Sequence, residues 1–350
     1  MKRIALLSAL IICISCKEKK QETVHEANNL EVTSKKQSDF TIIFVSCNDQ
    51  DMEQPLWKPI IDTHPDVFIW GGDNIYADTD DMEKMKNDYN KILNNPDYVK
   101  LESITTVIGT WDDHDYGKND AGVEWNKKVE AQQLFLDFIK IPKDDIRRIR
   151  EGVYHSQIFN SENGSIKVIL LDTRYFRSPL KRSTVKGRRF ESWGENDSVT
   201  ILGEIQWKWL EEELQDNTTN FTIIVSSIQF LADEHDWEKW GNYPSEVKKM
   251  YQKIIDAKAN NIFILSGDRH LAEFSVAYIE GLSYPLIDFT TSGLTKTYPD
   301  SPDEYNRYRV GDQIKQLNFG VLIFDFENNK VTMEIRGVEG KMYEELVQEF

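Results

Sequence analysis

Cysteine is scarce in this sequence: only Cys13, Cys16 and Cys47 occur among 350 residues. Cys13 and Cys16 belong to the apolar N-terminal segment, so Cys47 is the single thiol in the rest of the chain. A fold held together by disulfides is therefore excluded. A lone cysteine after a strand is commonly a small core residue. An unpaired thiol is also a ligand for transition metals, and both explanations apply to Cys47.

Positive charge is also in short supply. The 42 Lys and Arg residues are outnumbered by 59 Asp and Glu residues, which gives a formal net charge of −17 and an isoelectric point of about 4.9. This balance argues against nucleic-acid binding, which requires a basic groove or stripe. An acidic chain still binds phosphate esters where metal ions or a few placed arginines supply local positive charge. An acidic surface that keeps the protein soluble explains the charge as well and is compatible with that function.

Long apolar runs are missing after residue 16. The N-terminal run, residues 4–14, follows Lys2 and Arg3 and is too short to span a bilayer as a permanent helix. Cys16 comes shortly after this run and ahead of a charged stretch, and this order resembles a bacterial lipoprotein signal. We therefore expect residues 1–16 to be a signal peptide ending at a lipidated Cys16. The lipid would hold the protein on the extracytoplasmic side of the bacterial cell envelope. A simple secretory signal cleaved nearby is the alternative.

The composition changes at residue 40. Residues 17–39 are polar and contain no Phe, Trp or Tyr, which predicts a flexible tether, whereas residues 40–350 predict one folded domain. Helical apolar stripes alternate with short apolar runs along this domain, which indicates a layered α/β protein. The predicted helices are 81–93, 125–141, 202–214 and 244–260. Predicted strands include 166–171, 221–225, 286–289 and a final hairpin of 319–326 with 330–336.

Polar residues follow four further predicted strands at the point where each strand ends. These strands are 41–45, 67–70, 104–108 and 262–265. The motifs after them are Ser-Cys-Asn at 46–48, Gly-Asp-Asn-Ile-Tyr at 72–76, Trp-Asp-Asp-His-Asp at 111–115 and Gly-Asp-Arg-His at 267–270. Because ligands collect beyond the carboxyl ends of strands in open α/β sheets, we expect the four motifs to meet in one pocket.

Two metal ions suit this set of side chains. In phosphate-ester hydrolysis a pair of metals about 3.5–4 Å apart activates water and clamps the phosphate, and a carboxylate has to bridge them. Asp73 is the natural bridge, because the preceding glycines let the backbone approach the metals closely. Tyr76 and Cys47 would add a phenolate and a thiolate to one metal, which favours a redox-capable transition metal. Asp113 and Asp268, with Asp73, would present oxygens to a harder ion such as Ca²⁺.

The four motifs in this order resemble those of the PhoD-like alkaline phosphatases, a branch of the calcineurin and purple-acid-phosphatase-like metallophosphoesterases. The resemblance extends from about residue 40 to near the end of the chain, and includes Leu-Asp-Thr-Arg at 171–174 and Thr-Ser-Gly-Leu-Thr at 291–295. It implies a four-layer α/β/β/α sandwich with two mixed sheets. It also implies Fe³⁺ at the first metal position, completed by His270, and Ca²⁺ at the second. Another divalent metal is the alternative.

Three further residues are candidates for catalysis and substrate binding. A histidine ordinarily titrates near neutral pH, so His114 is the candidate for stabilising the transition state and protonating the leaving alkoxide. Arg174 and Arg177 are the candidates for gripping the phosphate oxygens, since a guanidinium pairs with phosphate through two hydrogen bonds. Alternatively, Arg174 forms an ion pair with nearby Asp172. Residues 178–199 are rich in Arg, Lys and Ser and lack periodicity, which predicts either a loop over the pocket or an exposed surface loop.

The sequence thus favours an extracytoplasmic metal-dependent phosphoesterase that cleaves small phosphate esters by attack of a metal-held hydroxide. A second hypothesis is a diesterase acting on phospholipid, a teichoic-acid-like polymer or extracellular nucleic acid, although the negative charge disfavours long polyanions. A third is a catalytically inactive surface lipoprotein that uses the same scaffold to bind a glycan or a protein. The completeness of the ligand set counts against the third.

Overall fold

The computed structural model describes residues 38–259 and 261–350. The expected signal peptide, the lipidated Cys16 and residues 17–37 of the expected tether lie outside the described residues, so these expectations stay predictions. Ser38–Phe350 forms one compact unit. Among the described residues, no helix has both the length and the apolar character needed to cross a bilayer.

The described part of the chain forms seven α-helices and fifteen β-strands. The helices are α1 (Trp57–Ile61), α2 (Met82–Leu93), α3 (Pro96–Glu102), α4 (Asp113–Tyr116), α5 (Lys128–Phe138), α6 (Gly203–Gln215) and α7 (Pro244–Ala257). The strands are β1 (Phe40–Val45), β2 (Val67–Gly71), β3 (Thr106–Thr110), β4 (His155–Asn160), β5 (Ser165–Leu170), β6 (Lys181–Arg182), β7 (Phe190–Glu191), β8 (Phe221–Val225), β9 (Ile262–Ser266), β10 (Ala272–Ala277), β11 (Leu286–Thr291), β12 (Arg309–Ile314), β13 (Phe319–Asp325), β14 (Lys330–Arg336) and β15 (Met342–Glu349).

Thirteen of these strands form two large mixed sheets. The first sheet has the strand order β15-β14-β13-β1-β2-β3, and the second has the order β12-β10-β11-β9-β8-β5-β4. The strands β1, β2 and β3 run parallel in the first sheet. The strands β5, β8, β9 and β11 run parallel in the second. The carboxyl ends of parallel strands lie at one edge of a sheet, so the residues that follow them are brought close together.

The alternation of side chains along β1 shows how the layers are built. Ile42 and Phe44 point into the core between the two sheets, which they share with Phe263 of the second sheet. Ile43 points the other way, into the core under helices α1, α2 and α5. A third core packs α6 and α7 against the outer face of the second sheet. The predicted four-layer α/β/β/α sandwich with two mixed sheets is therefore confirmed.

Some element boundaries differ from the predicted ones. The predicted strand 104–108 is wrong by two residues, because β3 covers Thr106–Thr110. Ile104 lies in a turn after α3, where its N–H bonds to the Leu101 carbonyl and its side chain is 48% exposed. The parallel register with β2 pairs Val67 with Thr106, and this fixes where β3 begins. Strand β15 was not predicted, since this partly exposed strand at the sheet edge carries several charged side chains.

We expect Ile42→Ala to lower the free energy of unfolding by about 2–5 kcal/mol, because the truncation leaves a cavity between the two sheets. Ile205→Ala is the matched control, since it makes the same truncation at an α6 side chain that is 62% exposed. The control should change the free energy of unfolding by no more than about 0.5 kcal/mol. Chemical denaturation measures both. Equal losses in the two variants would contradict the placement of Ile42 in the inter-sheet core.

Candidate metal centre

The predicted ligands stand at the ends of neighbouring strands. Cys47 follows β1, Asp73 follows β2, Asp113 opens α4 after β3, and Asp268 and His270 follow β9. Cys47, Asp73, Asp268 and His270 all have positive φ, between 51° and 67°. Non-glycine residues adopt this conformation at a cost of about 1–3 kcal/mol each, and such residues cluster at functional sites. The strained turns re-aim these side chains at the point where the strands stop.

Two glycines let the turns approach one another. A β-carbon on Gly72, which has φ +107°, would lie 2.6 Å from Cβ of Asp112. A β-carbon on Gly267 would lie 2.5 Å from the Ser46 hydroxyl oxygen. Any larger residue at either position would push the ligand-bearing turns apart. The residue types in these motifs are thus set by packing as well as by chemistry.

The first cluster of ligand atoms belongs to Cys47, Asp73 and His270, and these atoms lie within 4.8 Å of one another. Asp73 Oδ2 is 3.5 Å from Cys47 Sγ and accepts a hydrogen bond of 3.2 Å from the Tyr76 hydroxyl. The same hydroxyl is 3.4 Å from His270 Nε2. A thiol, a phenol, a carboxylate and an imidazole around one point form a donor set suited to a transition metal.

His270 is oriented for ligation by its second ring nitrogen. His270 Nδ1 is 2.8 Å from the Lys296 carbonyl oxygen, which only accepts, so Nδ1 carries the proton and Nε2 keeps its lone pair. Burial lowers the pKa of His270 to about 4, and the ring is therefore neutral at pH 7. The hydroxyl of Ser292, just after β11, accepts a hydrogen bond from the backbone N–H of His270 and lies 3.0 Å from Cys47 Sγ. It therefore contacts both predicted ligands.

Asp73 also belongs to a second cluster, in which its oxygen lies within 4.8 Å of oxygens of Asp112, Asp113 and Asp268. The carboxylates of Asp73, Asp112 and Asp113 are almost fully shielded from solvent, whereas that of Asp268 is partly exposed. Asp112 Oδ2 and Asp113 Oδ1 are buried without a hydrogen-bond partner among the described residues. An unpartnered buried carboxylate oxygen is costly, so a cation fits this position.

Asp113 is held so that one of its oxygens stays free. Its Oδ2 accepts from the Asn119 side chain at 2.8 Å and from the Asp120 N–H at 2.6 Å. Burial opposes ionisation, but the charges of His114 and Arg174 and these two hydrogen bonds hold the pKa of Asp113 below its ordinary value. The carboxylate is therefore ionised, with Oδ1 open to a cation.

The protein alone disfavours the charged forms of four other predicted ligands. Burial, the largest cause, raises the pKa values of Asp73, Asp268, the Cys47 thiol and the Tyr76 phenol, and neighbouring acidic groups raise them further. Bound cations reverse this effect, since they neutralise carboxylates and deprotonate a coordinated thiol or phenol. The donor types, the free oxygens and the excess of buried acidic groups all fit two metal ions.

His114 lies beside the first cluster and lines the pocket above it. The ring nitrogen Nδ1 of His114 is 2.6 Å from Asp78 Oδ2, and the backbone N–H of His114 donates to Asp73 Oδ1 at 3.3 Å. The ring packs against that of Tyr76, with 4.1 Å between the centroids. Burial alone would lower the pKa of His114, but Asp113, Asp73 and Asp78 outweigh it and raise the pKa to about 11. The imidazole is therefore protonated in the metal-free protein, and Nε2 is the nitrogen that Asp78 leaves free.

Arg174 and Arg177 lie elsewhere than predicted. Both side chains are 0% exposed and do not line the pocket. The Arg174 guanidinium donates to Asp112 Oδ1 at 2.5 Å and to Glu238 Oε2 at 2.6 Å, and Arg177 Nε lies 2.9 Å from Glu238 Oε1. The predicted contact with substrate phosphate is thus corrected: the two arginines neutralise buried acidic groups behind the ligands.

The predicted alternative for Arg174, an ion pair with Asp172, also differs from the structure. Asp172 Oδ1 accepts from the backbone N–H groups of Arg174 and Tyr175, while the guanidinium reaches Asp112 instead. The sequence did not indicate that Arg174 pairs with Asp112 and Glu238, because both lie far from it along the chain. The role of Glu238 had no sequence signal, since it lies in an irregular stretch between β8 and α7.

A cavity of about 670 Å³ opens over the ligand clusters. Its volume lies within the range of about 300–1,000 Å³ typical of small-molecule sites. Its floor includes Tyr76, His114, Asp268 and His270. Its walls carry residues that the sequence did not single out as site residues: Arg189, Trp237, Lys296 and Tyr298. The lining therefore combines aromatic, basic and acidic side chains.

Residues 178–199 contribute to this wall through a small hairpin of β6 and β7. Arg189 lines the cavity and donates to the Asp120 carboxylate, with Asn119 Oδ1 3.3 Å away. Val185, at the tip of the hairpin, is exposed. Both predicted descriptions of this stretch apply, each to a different part: the base lies over the pocket and the tip lies on the surface.

The sequence has relatives of known type. A family model described as PhoD-like phosphatase matches residues 42–333. Alkaline phosphatase D of Bacillus subtilis (strain 168) is 23% identical over 191 residues. The match covers 49% of this chain and 32% of that protein, so it spans about a third of the relative's length.

Solved structures share the fold. A structure of PhoD superposes with a TM-score of 0.69 at 16% identity, covering 89% of this chain and 69% of that one. A dimetal phosphatase from Danio rerio superposes with a TM-score of 0.55 at 13% identity, covering 90% of this chain and 100% of that one. These likenesses concern the fold, whereas the family model covers well over half of the sequence itself. The chain belongs to the PhoD-like phosphatase family.

Proposed function

We propose that this protein is an extracytoplasmic, metal-dependent phosphoesterase that hydrolyses small phosphate esters. The observation that carries the proposal is the position of Asp73, whose carboxylate belongs to both ligand clusters. One carboxylate shared by two ligand sets is the arrangement that a two-metal hydrolase requires. The cavity above the clusters has the size of a small-molecule site, which agrees with a small ester as substrate.

The two clusters differ in chemistry, and this difference supports different metals. The first metal would be held by Cys47, Asp73, Tyr76 and His270, and the second by Asp73, Asp113 and Asp268. A thiolate with a phenolate favours Fe³⁺, while carboxylate oxygens favour Ca²⁺. When bound, the pair would lower the pKa of a water molecule and neutralise charge on the phosphoryl group.

The chain's own residues would position the site and supply the proton that the leaving group takes up. Asp78 fixes the His114 ring through Nδ1, so that Nε2 is available to the leaving group. The imidazolium would donate its Nε2 proton to the departing alkoxide oxygen as the P–O bond breaks. Arg174 would act from behind, by neutralising Asp112 and holding it beside the second cluster. His114 is thus the proposed general acid and Arg174 a positioning residue.

The proposal also includes the place of the protein in the cell, which is the extracytoplasmic side of the envelope. The order of Lys2, Arg3, an apolar run and Cys16 supports a lipid anchor at the envelope. The protein would contact the membrane only through this lipid at Cys16. The net charge of −17 argues against a nucleic-acid partner.

We expect Asp73→Asn to lower kcat/KM by at least about a hundredfold, because the shared carboxylate is lost. The metal-free variant should be no less stable than wild type, since burial raises the pKa of Asp73 and its charge therefore destabilises the metal-free fold at pH 7. Metal addition should raise the melting temperature of wild type more than that of the variant. Asp62→Asn, at an exposed carboxylate paired with Lys58, is the control. Near-normal turnover in Asp73→Asn would sink the assignment.

Protein purified from its native host's envelope should contain about one equivalent of iron per chain together with calcium. Cys47→Ser should lose iron and retain calcium, and Asp268→Asn should show the reverse. Elemental analysis of the three proteins measures this. Zinc or manganese at both positions would contradict the metal assignment while leaving the hydrolase in place. Full iron content in Cys47→Ser would contradict ligation by the thiol.

Arg174→Gln should reduce stability more than it changes substrate affinity. The substitution leaves Asp112 and Glu238 buried beside an uncharged group, so we expect a loss of about 3–5 kcal/mol in the free energy of unfolding. Arg336→Gln, which removes a partly exposed ion pair with Glu334, should cost no more than about 1 kcal/mol. Denaturation and steady-state kinetics measure both variants. A raised KM with unchanged stability would restore Arg174 as a substrate ligand.

A further inference from the structure

We propose that the Lys296 ammonium interacts with the doubly charged phosphate group of a monoester and so makes the enzyme prefer monoesters to diesters. This inference rests on the proposed function and names its substrate class. Lys296 lies in the loop after β11 and lines the cavity, with 29% of its side chain exposed.

Both ends of Lys296 are fixed beside the first ligand cluster. Its carbonyl oxygen accepts from His270 Nδ1 at 2.8 Å. Its ammonium nitrogen lies 3.8 Å from the centroid of the Tyr76 ring. The hydroxyl of that ring is within 3.2 Å of Asp73 Oδ2. The ammonium group therefore lies over the face of a ring whose hydroxyl contacts the shared carboxylate, and it lines the cavity that a phosphoryl group would enter.

The hydrogen-bond donors of this ammonium group are uncommitted. Its ion pair with Asp49 Oδ2 spans 3.6 Å, which is too long for a hydrogen bond. Within residues 38–259 and 261–350, Lys296 Nζ donates no hydrogen bond to a protein acceptor. For comparison, the buried Lys239 Nζ donates to the carbonyl oxygens of His235 and Trp237. An ammonium has three N–H groups, so a ligand oxygen can be bound without breaking an existing contact.

The other cations of the cavity wall are already neutralised. Arg189 donates to the Asp120 carboxylate, and Arg269 donates to the Glu304 carboxylate. The carboxylate partner of each guanidinium therefore already offsets its positive charge. Among the described residues that line this cavity, Lys296 is the cation without a hydrogen-bonded carboxylate.

Charge then distinguishes the two ester classes. The second pKa of a phosphate monoester is about 6, so a monoester carries close to two negative charges at and above neutral pH. A diester carries one. An ammonium beside the floor therefore stabilises a bound monoester more than a bound diester, and the metals take up charge from both.

The test is Lys296→Met, which removes the ammonium and retains the length of the side chain. Metal-loaded protein is assayed on p-nitrophenyl phosphate and bis(p-nitrophenyl) phosphate, with inorganic phosphate as a competitive inhibitor. We expect kcat/KM for the monoester to fall about 10- to 100-fold, with a similar weakening of phosphate inhibition. The diester should lose less than about threefold. Lys296→Arg should retain most of the monoester preference, and Lys140→Met, at a surface pair with Glu102, is the control.

Other outcomes overturn the proposal. Unchanged kinetics in Lys296→Met would do so, and so would an equal loss on both esters accompanied by lost metal, which would assign Lys296 a purely positioning role on Tyr76. Hydrolysis of neither ester by wild type would instead refute the proposed function. Calorimetry of inorganic phosphate binding to metal-loaded wild type and Lys296→Met then decides on Lys296 alone, and equal affinities would overturn its role.

Discussion

The crowding of acidic side chains around Asp73 is the constraint on which the rest of the site depends. Oxygens of Asp73, Asp112, Asp113 and Asp268 lie within 4.8 Å of one another, in surroundings that raise the pKa values of Asp73 and Asp268. Buried like charges at such distances repel strongly in a low dielectric. Arg174 compensates Asp112, but no ion pair of the described residues reaches Asp73. The missing compensation is the physical reason to place cations there, and it couples metal binding to stability.

The fold supplies the rigidity that this crowding requires. Parallel strands from two sheets end at one edge, and the turns after them carry positive φ at Cys47, Asp73, Asp268 and His270. Such turns persist only where the surrounding structure over-determines them. Here the three packed cores and the closely fitted Gly72 and Gly267 do so. The scaffold therefore stores strain at the strand ends and uses it to converge ligands that lie more than 200 residues apart in sequence.

The sequence could reveal the layers and the ligand set, because both are written locally. Continuous apolar runs such as the one containing Ile42 and Ile43 predict strands buried on both faces, and each ligand motif closely follows its strand. Whether a basic side chain is buried or exposed depends on contacts with residues that are distant in sequence. Arg174 and Lys296 are both basic residues near a family motif, yet one is sealed behind the ligands and the other lies in the cavity. Only the tertiary packing of Asp112 and Glu238 separates their roles. The register error at β3 has the same origin, since strand pairing with β2 decides where β3 begins.

The acidic composition and the phosphate chemistry are reconciled by where charge is left over. Arg174, Arg177, Arg189 and Arg269 all lie near the site, but each is matched by Asp112, Glu238, Asp120 or Glu304. Their charges therefore stabilise the fold around the site and lend little field to a ligand. Metal ions and one ammonium that donates no hydrogen bond to a carboxylate, that of Lys296, can create attraction for phosphate within a chain of net charge −17. This distribution supports the proposed preference for a compact dianion bound at close range over a long polyanion that approaches the acidic surface. The same charge distribution thus supports the proposal of a small monoester, rather than a polymer, as the substrate.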